Sequence, residues 1–156
     1  MVVSAKNRQQ AVWEGEALTL LCKVGGAGSL LSVTWWHVPQ DQTQPDFVAG
    51  MGQDGTMQLG ASYGELDNHS NTRLEKTDWA TFQLEITSTT ITDSGTYECR
   101  VSERTRNQAR DRSWTQKMSV TVKPLGKCQG HPFLNLRIIS IFLLQCNAVE
   151  FDCLSP

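Results

Sequence analysis

Apolar and polar residues alternate along most of this chain. Leu18, Leu20, Cys22 and Val24 alternate with Thr19, Leu21 and Lys23, the period-two pattern of a half-buried strand. A glycine-rich stretch, Gly25-Gly-Ala-Gly28-Ser29, then reads as a loop. Ser32 to Val38 is the next strand, closed by Pro39. Short strands follow at Asp46–Met51 and Thr56–Leu59, separated by the turn Gly52-Gln-Asp-Gly55. Arg73–Lys76 and Thr81–Thr87 are strands joined at Asp78-Trp79, with Phe82, Leu84 and Ile86 facing inward. Gly95–Glu103 puts Tyr97, Cys99 and Val101 on one face, and Lys117–Val122 closes the series. Short alternating strands at regular spacing, without a helical period, predict an all-β antiparallel sandwich. Residues 1–10 are read as an N-terminal lead-in and 11–124 as the domain. After Lys123-Pro124 the alternation stops, so 125–156 is read as an irregular tail.

Bulk composition narrows the setting. The chain has 156 residues, 39% hydrophobic and 19% charged, enough for one core of ordinary size. A formal charge of −2 gives no global pull toward nucleic acid or an anionic membrane. Five cysteines without a Cys-x-x-Cys motif point to an oxidising, extracellular compartment. Yet Met1-Val-Val-Ser-Ala-Lys6 has no apolar signal-peptide region. The longest apolar run, Ile138–Leu144, falls short of the roughly 20 residues a membrane span needs. The chain is therefore read as a piece, or a soluble truncated isoform, of a longer surface protein.

The chemistry-bearing residues are structural. Cys22, then Trp35, then Asp93-Ser-Gly95-Thr-Tyr97-Glu-Cys99 form a specific pattern, and with Arg73 in place residues 11–124 resemble a V-set domain of the immunoglobulin superfamily. The strands between Pro45 and Leu59 favour the variable type. Four segments extend the likeness: Ala11-Val-Trp-Glu-Gly-Glu16, Trp35-Trp-His-Val-Pro39, Phe47–Gly55 and Trp79–Ile86. They look like a middle domain of the Glu-Trp-Ile (EWI) subfamily of multi-domain leukocyte receptors, although this chain has no Glu-Trp-Ile run. The resemblance implies an inter-sheet disulfide Cys22–Cys99 with Trp35 packed on it. It also implies a Tyr97 hydroxyl bonded to backbone in the preceding turn, and an ion pair between Arg73 and Asp93. It further implies a cell-surface glycoprotein, anchored by a single membrane span, that dampens T-cell activation.

Three surface features bear on function. Trp36 and Val38 project from the opposite face to Trp35, where they offer an interface for a protein ligand or a neighbouring domain. Arg104, Arg106, Arg110 and Arg112 crowd one loop, suited to an acidic partner or a sialylated glycan and equally to a solvated loop. Asn68-His-Ser70 is a glycosylation sequon in a surface connection. Nothing supports an enzyme: His37 belongs to the core edge, His69 and His131 have no nucleophile nearby in sequence, and Gly-x-Ser-x-Gly is missing. Cys128-x-x-His131 with Cys146 and Cys153 matches no standard zinc spacing, so neither metal nor cofactor is expected.

The tail has its own reading. Codons for Gly126-Lys127-Cys128 can spell a splice-donor consensus, so residues from 127 onward are read as translated intron. Its three cysteines, Cys128, Cys146 and Cys153, cannot all pair with one another, which leaves one to remain reactive or to form a disulfide-linked dimer. The functional expectation is a recognition module of a leukocyte receptor acting through protein–protein binding. The alternative is a spacer domain with no ligand of its own.

Overall fold

A computed structural model describes residues 2–5, 8–25, 30–64, 71–104 and 112–126, of which 2–5 are described as backbone only. Among these described residues, ten strands make two sheets. β1 (Val2–Ala5), β3 (Leu18–Gly25), β8 (Thr81–Ile86) and β7 (Thr72–Asp78) form the first, in the order β1-β3-β8-β7. The second holds β2 (Gln9–Trp13), β10 (Arg112–Lys123), β9 (Gly95–Glu103), β4 (Leu31–Pro39), β5 (Asp46–Met51) and β6 (Met57–Leu59), in the order β2-β10-β9-β4-β5-β6. All pairings are antiparallel except β2 with β10. The protein is an immunoglobulin-like sandwich of the all-β class.

Period-two patterning builds the core. Leu18, Leu20, Cys22 and Val24 from β3 and Phe82, Leu84 and Ile86 from β8 face Val33 and Trp35 of β4, with Tyr97, Cys99 and Val101 of β9 beside them. Met118, Val120 and Val122 of β10 complete the layer. A disulfide joins Cys22 to Cys99 across the two sheets, at a sequence separation of 77. In the chain-entropy view, closing so long a loop stabilises by about 4 kcal/mol.

The structure departs from the sequence reading at both ends of the domain. Residues 1–10 are more than a lead-in: β1 pairs with β3, and β2 pairs with β10 over Gln9–Trp13. In β2 the half-buried positions are Gln10 and Val12, so a glutamine stands where an apolar signal would be sought. β10 starts at Arg112, five residues before the expected Lys117. Arg112 is thus a strand residue opposite Glu103. Met1–Leu125 forms one compact unit. Among the described residues, no helix is long and apolar enough to cross a membrane.

Candidate functional site

The Asp-x-Gly-x-Tyr-x-Cys run stitches four elements together. The Tyr97 hydroxyl donates to the Asp93 carbonyl at 3.1 Å, closing a tyrosine corner. Ser94 Oγ accepts from the Val122 N–H of β10 at 2.8 Å, and the Ser94 carbonyl faces His37 Nε2 of β4 at 3.3 Å. Gly95 has φ +146°, and a Cβ there would lie 2.2 Å from the Val38 carbonyl oxygen. His37 is buried and stacks on Tyr97, with centroids 4.3 Å apart. Its neutral tautomer protonated at Nε2 donates to Ser94 and accepts at Nδ1 from the Tyr63 hydroxyl, 2.8 Å away. Burial holds the imidazole below its ordinary value, against the pull of the Ser94 carbonyl, Asp93 and Asp46. Burial pushes the Tyr97 and Tyr63 hydroxyls upward, so both remain protonated.

Arg73 does not join this cluster. It lies between buried Thr72 and Leu74, so the strand period turns it outward, where it meets Glu75 at 3.3 Å with 67% of its side chain exposed. The Asp93 carboxylate instead accepts from the Thr90 N–H at 2.7 Å and the Thr90 hydroxyl at 3.1 Å, capping the 3-10 turn Ile91–Asp93. The expected Arg73–Asp93 pair is replaced by these two local contacts, and Arg73 is a surface residue rather than a core one.

The outer face of the six-stranded sheet carries the candidate interface. Trp35 is fully buried, so Trp36 points outward, but it is half-buried rather than bare. Opposite Trp35–Trp36, β5 presents Ala49 and Phe47, so Val48 is an extra residue that bulges the strand. The bulge sets Phe47 against Trp36, with ring centroids 5.3 Å apart and planes at 66°. Gly50 makes room: a Cβ there would sit 3.1 Å from Phe47 Cζ. Trp36 Nε1 donates to Thr34 Oγ1 at 3.2 Å.

Across the sheet, Arg100 lays its guanidinium over Trp36, 4.8 Å from the ring centroid. The same guanidinium donates to Glu98 Oε2 from Nε at 3.2 Å and from Nη2 at 2.8 Å, while Lys117 Nζ reaches Glu98 Oε1 at 2.9 Å. The hydrogen bonds from Lys117 and Arg100 hold the Glu98 carboxyl below the usual carboxylate range. One carboxylate thus orders two cations, and the face keeps a net positive, aromatic centre. Val38 flanks it, half-buried and opposite Thr96.

The sequence pointed to Trp36 and Val38 but not to Phe47, Glu98, Arg100 or Lys117. Glu98 and Arg100 flank Cys99, so the strand period alone turns them outward beside Trp36 once β4 and β9 are registered. Arg112 opens β10 opposite Glu103, Arg104 follows the end of β9 with its N–H donating to the Leu30 carbonyl, and both are exposed. Arg106, Arg110, Asn68 and the cysteine-bearing tail from 127 lie outside the described residues. Among the described residues, no cluster of His, Cys, Asp or Glu could hold a metal ion.

Comparison with known proteins agrees with the fold. Residues 2–103 match the family model described as Immunoglobulin domain. The chain is 76% identical over 125 residues to immunoglobulin superfamily member 2 of Homo sapiens, covering 80% of this chain and 12% of the relative. It is 63% identical over 123 residues to the Mus musculus protein of that name, covering 79% and 12%. The chain therefore spans about 12% of the length of these curated relatives. One similar chain comes from a solved structure concerned with the structural basis of T cell specificity and activation by the bacterial superantigen toxic shock syndrome toxin-1. It matches with a TM-score of 0.62 at 17% identity, covering 78% of this chain and 98% of that one. At that identity the likeness speaks for the fold alone.

Proposed function

Because the chain belongs to the immunoglobulin domain family, we propose that it is the V-type recognition module of a leukocyte cell-surface receptor that restrains T-cell activation. It works by binding a protein partner on the outer face of its six-stranded sheet. The observation that carries this reading is the Arg100 guanidinium, stacked on Trp36 and held by Glu98. Tryptophan and arginine dominate interface hot spots, and here both are ordered before any partner arrives, which lowers the entropy lost on docking. The net positive centre suits a partner with an acidic rim. The kinship with immunoglobulin superfamily member 2 supports the receptor setting.

The test is binding of the full chain, made through a secretory route, to activated leukocytes, with T-cell cytokine release measured in parallel. Trp36→Ala and Arg100→Ala are each expected to weaken binding by roughly 30-fold, about 2 kcal/mol. Binding that survives both changes overturns the sheet-face reading. A chain that binds no leukocyte protein at all returns the domain to the role of a spacer.

A further inference from the structure

An open depression of about 560 Å³ lies at the β2–β10 edge of the six-stranded sheet, lined by Arg8, Gln9, Thr96, Lys117, Met118 and Ser119. Strand register explains the grouping. Ser119 pairs with Thr96 of β9 on one side and with Gln9 of β2 on the other. Lys117 pairs with Glu98, two residues along the same face. Tyr97, Met118 and Val120 are buried, so the strand period turns Thr96, Lys117 and Ser119 outward together. The Ser119 N–H donates to the Arg8 carbonyl at 2.8 Å, which fixes Arg8 at the entry to β2 beside the depression.

The charges around it leave a cation to spare. The ion pairs among the described residues are Arg73–Glu75, Arg100–Glu98 and Lys117–Glu98, so Arg8 has no carboxylate partner among them. Glu98 borders the depression, and both its oxygens are engaged, Oε1 by Lys117 and Oε2 by Arg100. Arg8, Lys117 and Arg100 thus set three positive charges against one negative. Other carboxylates stand off. Glu14 lies past Lys123, four residues along β10 from Ser119, and Glu103 lies opposite Arg112, five residues from Lys117. At about 3.3 Å per residue each is beyond the screening length of about 8 Å at physiological salt. Asp46 opens β5, three strands from β10, and Asp41 stands in the turn before it. The Asp93 carboxylate is bonded to Thr90, and Lys123 is drawn over Trp13.

We propose that this depression binds an acidic sugar: the Arg8 guanidinium grips the anionic group, Lys117 supports it, and Gln9, Thr96 and Ser119 bond the ring hydroxyls. The Arg8 fork matches the paired oxygens of a carboxylate or a sulfate. Lys117 carries three donors and gives Glu98 one, so two remain. The amide of Gln9 and the two hydroxyls both donate and accept, as a polyhydroxylated ring requires. Small-molecule sites of about 300–1,000 Å³ are mostly apolar-lined. This one has that volume but a hydrogen-bonding wall, which suits a sugar, and more room than one acidic side chain fills. Because the cations are exposed, the affinity is modest, on the order of 1 mM. The site does not rest on the protein partner proposed above, since neither Trp36 nor Arg100 lines it.

Amide NMR of the isotope-labelled full chain, titrated at constant ionic strength, tests it. The probes are sialyllactose, sulfated lactose, lactose and inorganic sulfate. The amides of Gln9, Thr96 and Ser119 are expected to shift saturably with at least one of the two acidic sugars and not with lactose. Whichever acidic sugar binds more tightly names the anionic group, carboxylate or sulfate. Arg8→Ala is expected to weaken binding about tenfold, and Arg8→Lys about threefold, because lysine keeps the charge and loses the fork. The Arg8 side chain is exposed and its backbone carbonyl does the structural work, so both variants keep the fold, which their dispersed spectra verify. Neither acidic sugar moving these amides overturns the proposal, as does lactose moving them equally. Inorganic sulfate binding as tightly as either acidic sugar reduces the site to an adventitious ion only and overturns it too. So does an Arg8→Ala chain that binds as the parent does.

Discussion

Gly95 shows how tightly single residues are held in this fold. Its φ of +146° is one that side-chain-bearing residues rarely adopt, and the Val38 carbonyl stands where a Cβ would go. Backbone on both sides of the contact is locked: Val38 by strand pairing with Thr96, and the Gly95 segment by the Tyr97 and Ser94 hydrogen bonds. Neither side can yield cheaply. Gly95→Ala is therefore expected to destabilise by about 3 kcal/mol or more, read from the midpoint of urea unfolding. Most of this motif was legible residue by residue, since Tyr97 and Cys99 do what their types and spacing imply. Arg73 was not. Its partner depends on which way a strand side chain turns, and buried Thr72 and Leu74 decide that against the pairing the motif suggested.

At the scale of elements, alternation exposed the central strands and hid the edges. β3, β4 and β8 bury every second residue, and β9 does the same from Tyr97 onward apart from the additionally buried Glu98, so their pattern is plain. β1 pairs with β3 and β2 with β10, and in β2 the half-buried positions are Gln10 and Val12, so no apolar period announced β2. The β5 bulge was equally silent, because an extra residue in a strand appears only when two strands are registered. Yet that bulge builds the interface by setting Phe47 against Trp36. Gly50 tests its importance. A Cβ at Gly50 presses on the far end of the Phe47 ring rather than on backbone, so the ring can swing aside. Gly50→Ala should leave stability within about 1 kcal/mol of the parent while loosening an aromatic contact worth about 0.5–1.5 kcal/mol. Trp36 fluorescence is expected to shift to the red and partner binding to weaken. An unchanged spectrum with unchanged binding would show that Phe47 does not support Trp36.

For the whole molecule, the buried His37 couples stability to pH. Its imidazole touches Tyr97, Tyr63 and the Ser94 carbonyl, within the field of Asp93 and Asp46, and burial outweighs these in keeping it neutral. In the unfolded chain the group titrates near its ordinary 6.5. Lowering the pH past that value lets the unfolded state take a proton that the folded state refuses, so stability falls. The loss continues down to the depressed folded pKa and then levels off for this group, with a slope of at most about 1.4 kcal/mol per pH unit. Glu98 adds a separate loss at lower pH, because its folded pKa lies below its ordinary 4.5 and its contacts with Lys117 and Arg100 fade as it protonates. Urea midpoints measured as a function of pH should therefore show two windows, the upper one absent in His37→Gln and the lower one reduced in Glu98→Gln. His37→Gln lowers stability at neutral pH as well, since it gives up the stack on Tyr97, so the slope below pH 6.5 rather than the midpoint itself is the deciding quantity. An undiminished slope in that variant would assign the upper window to other groups.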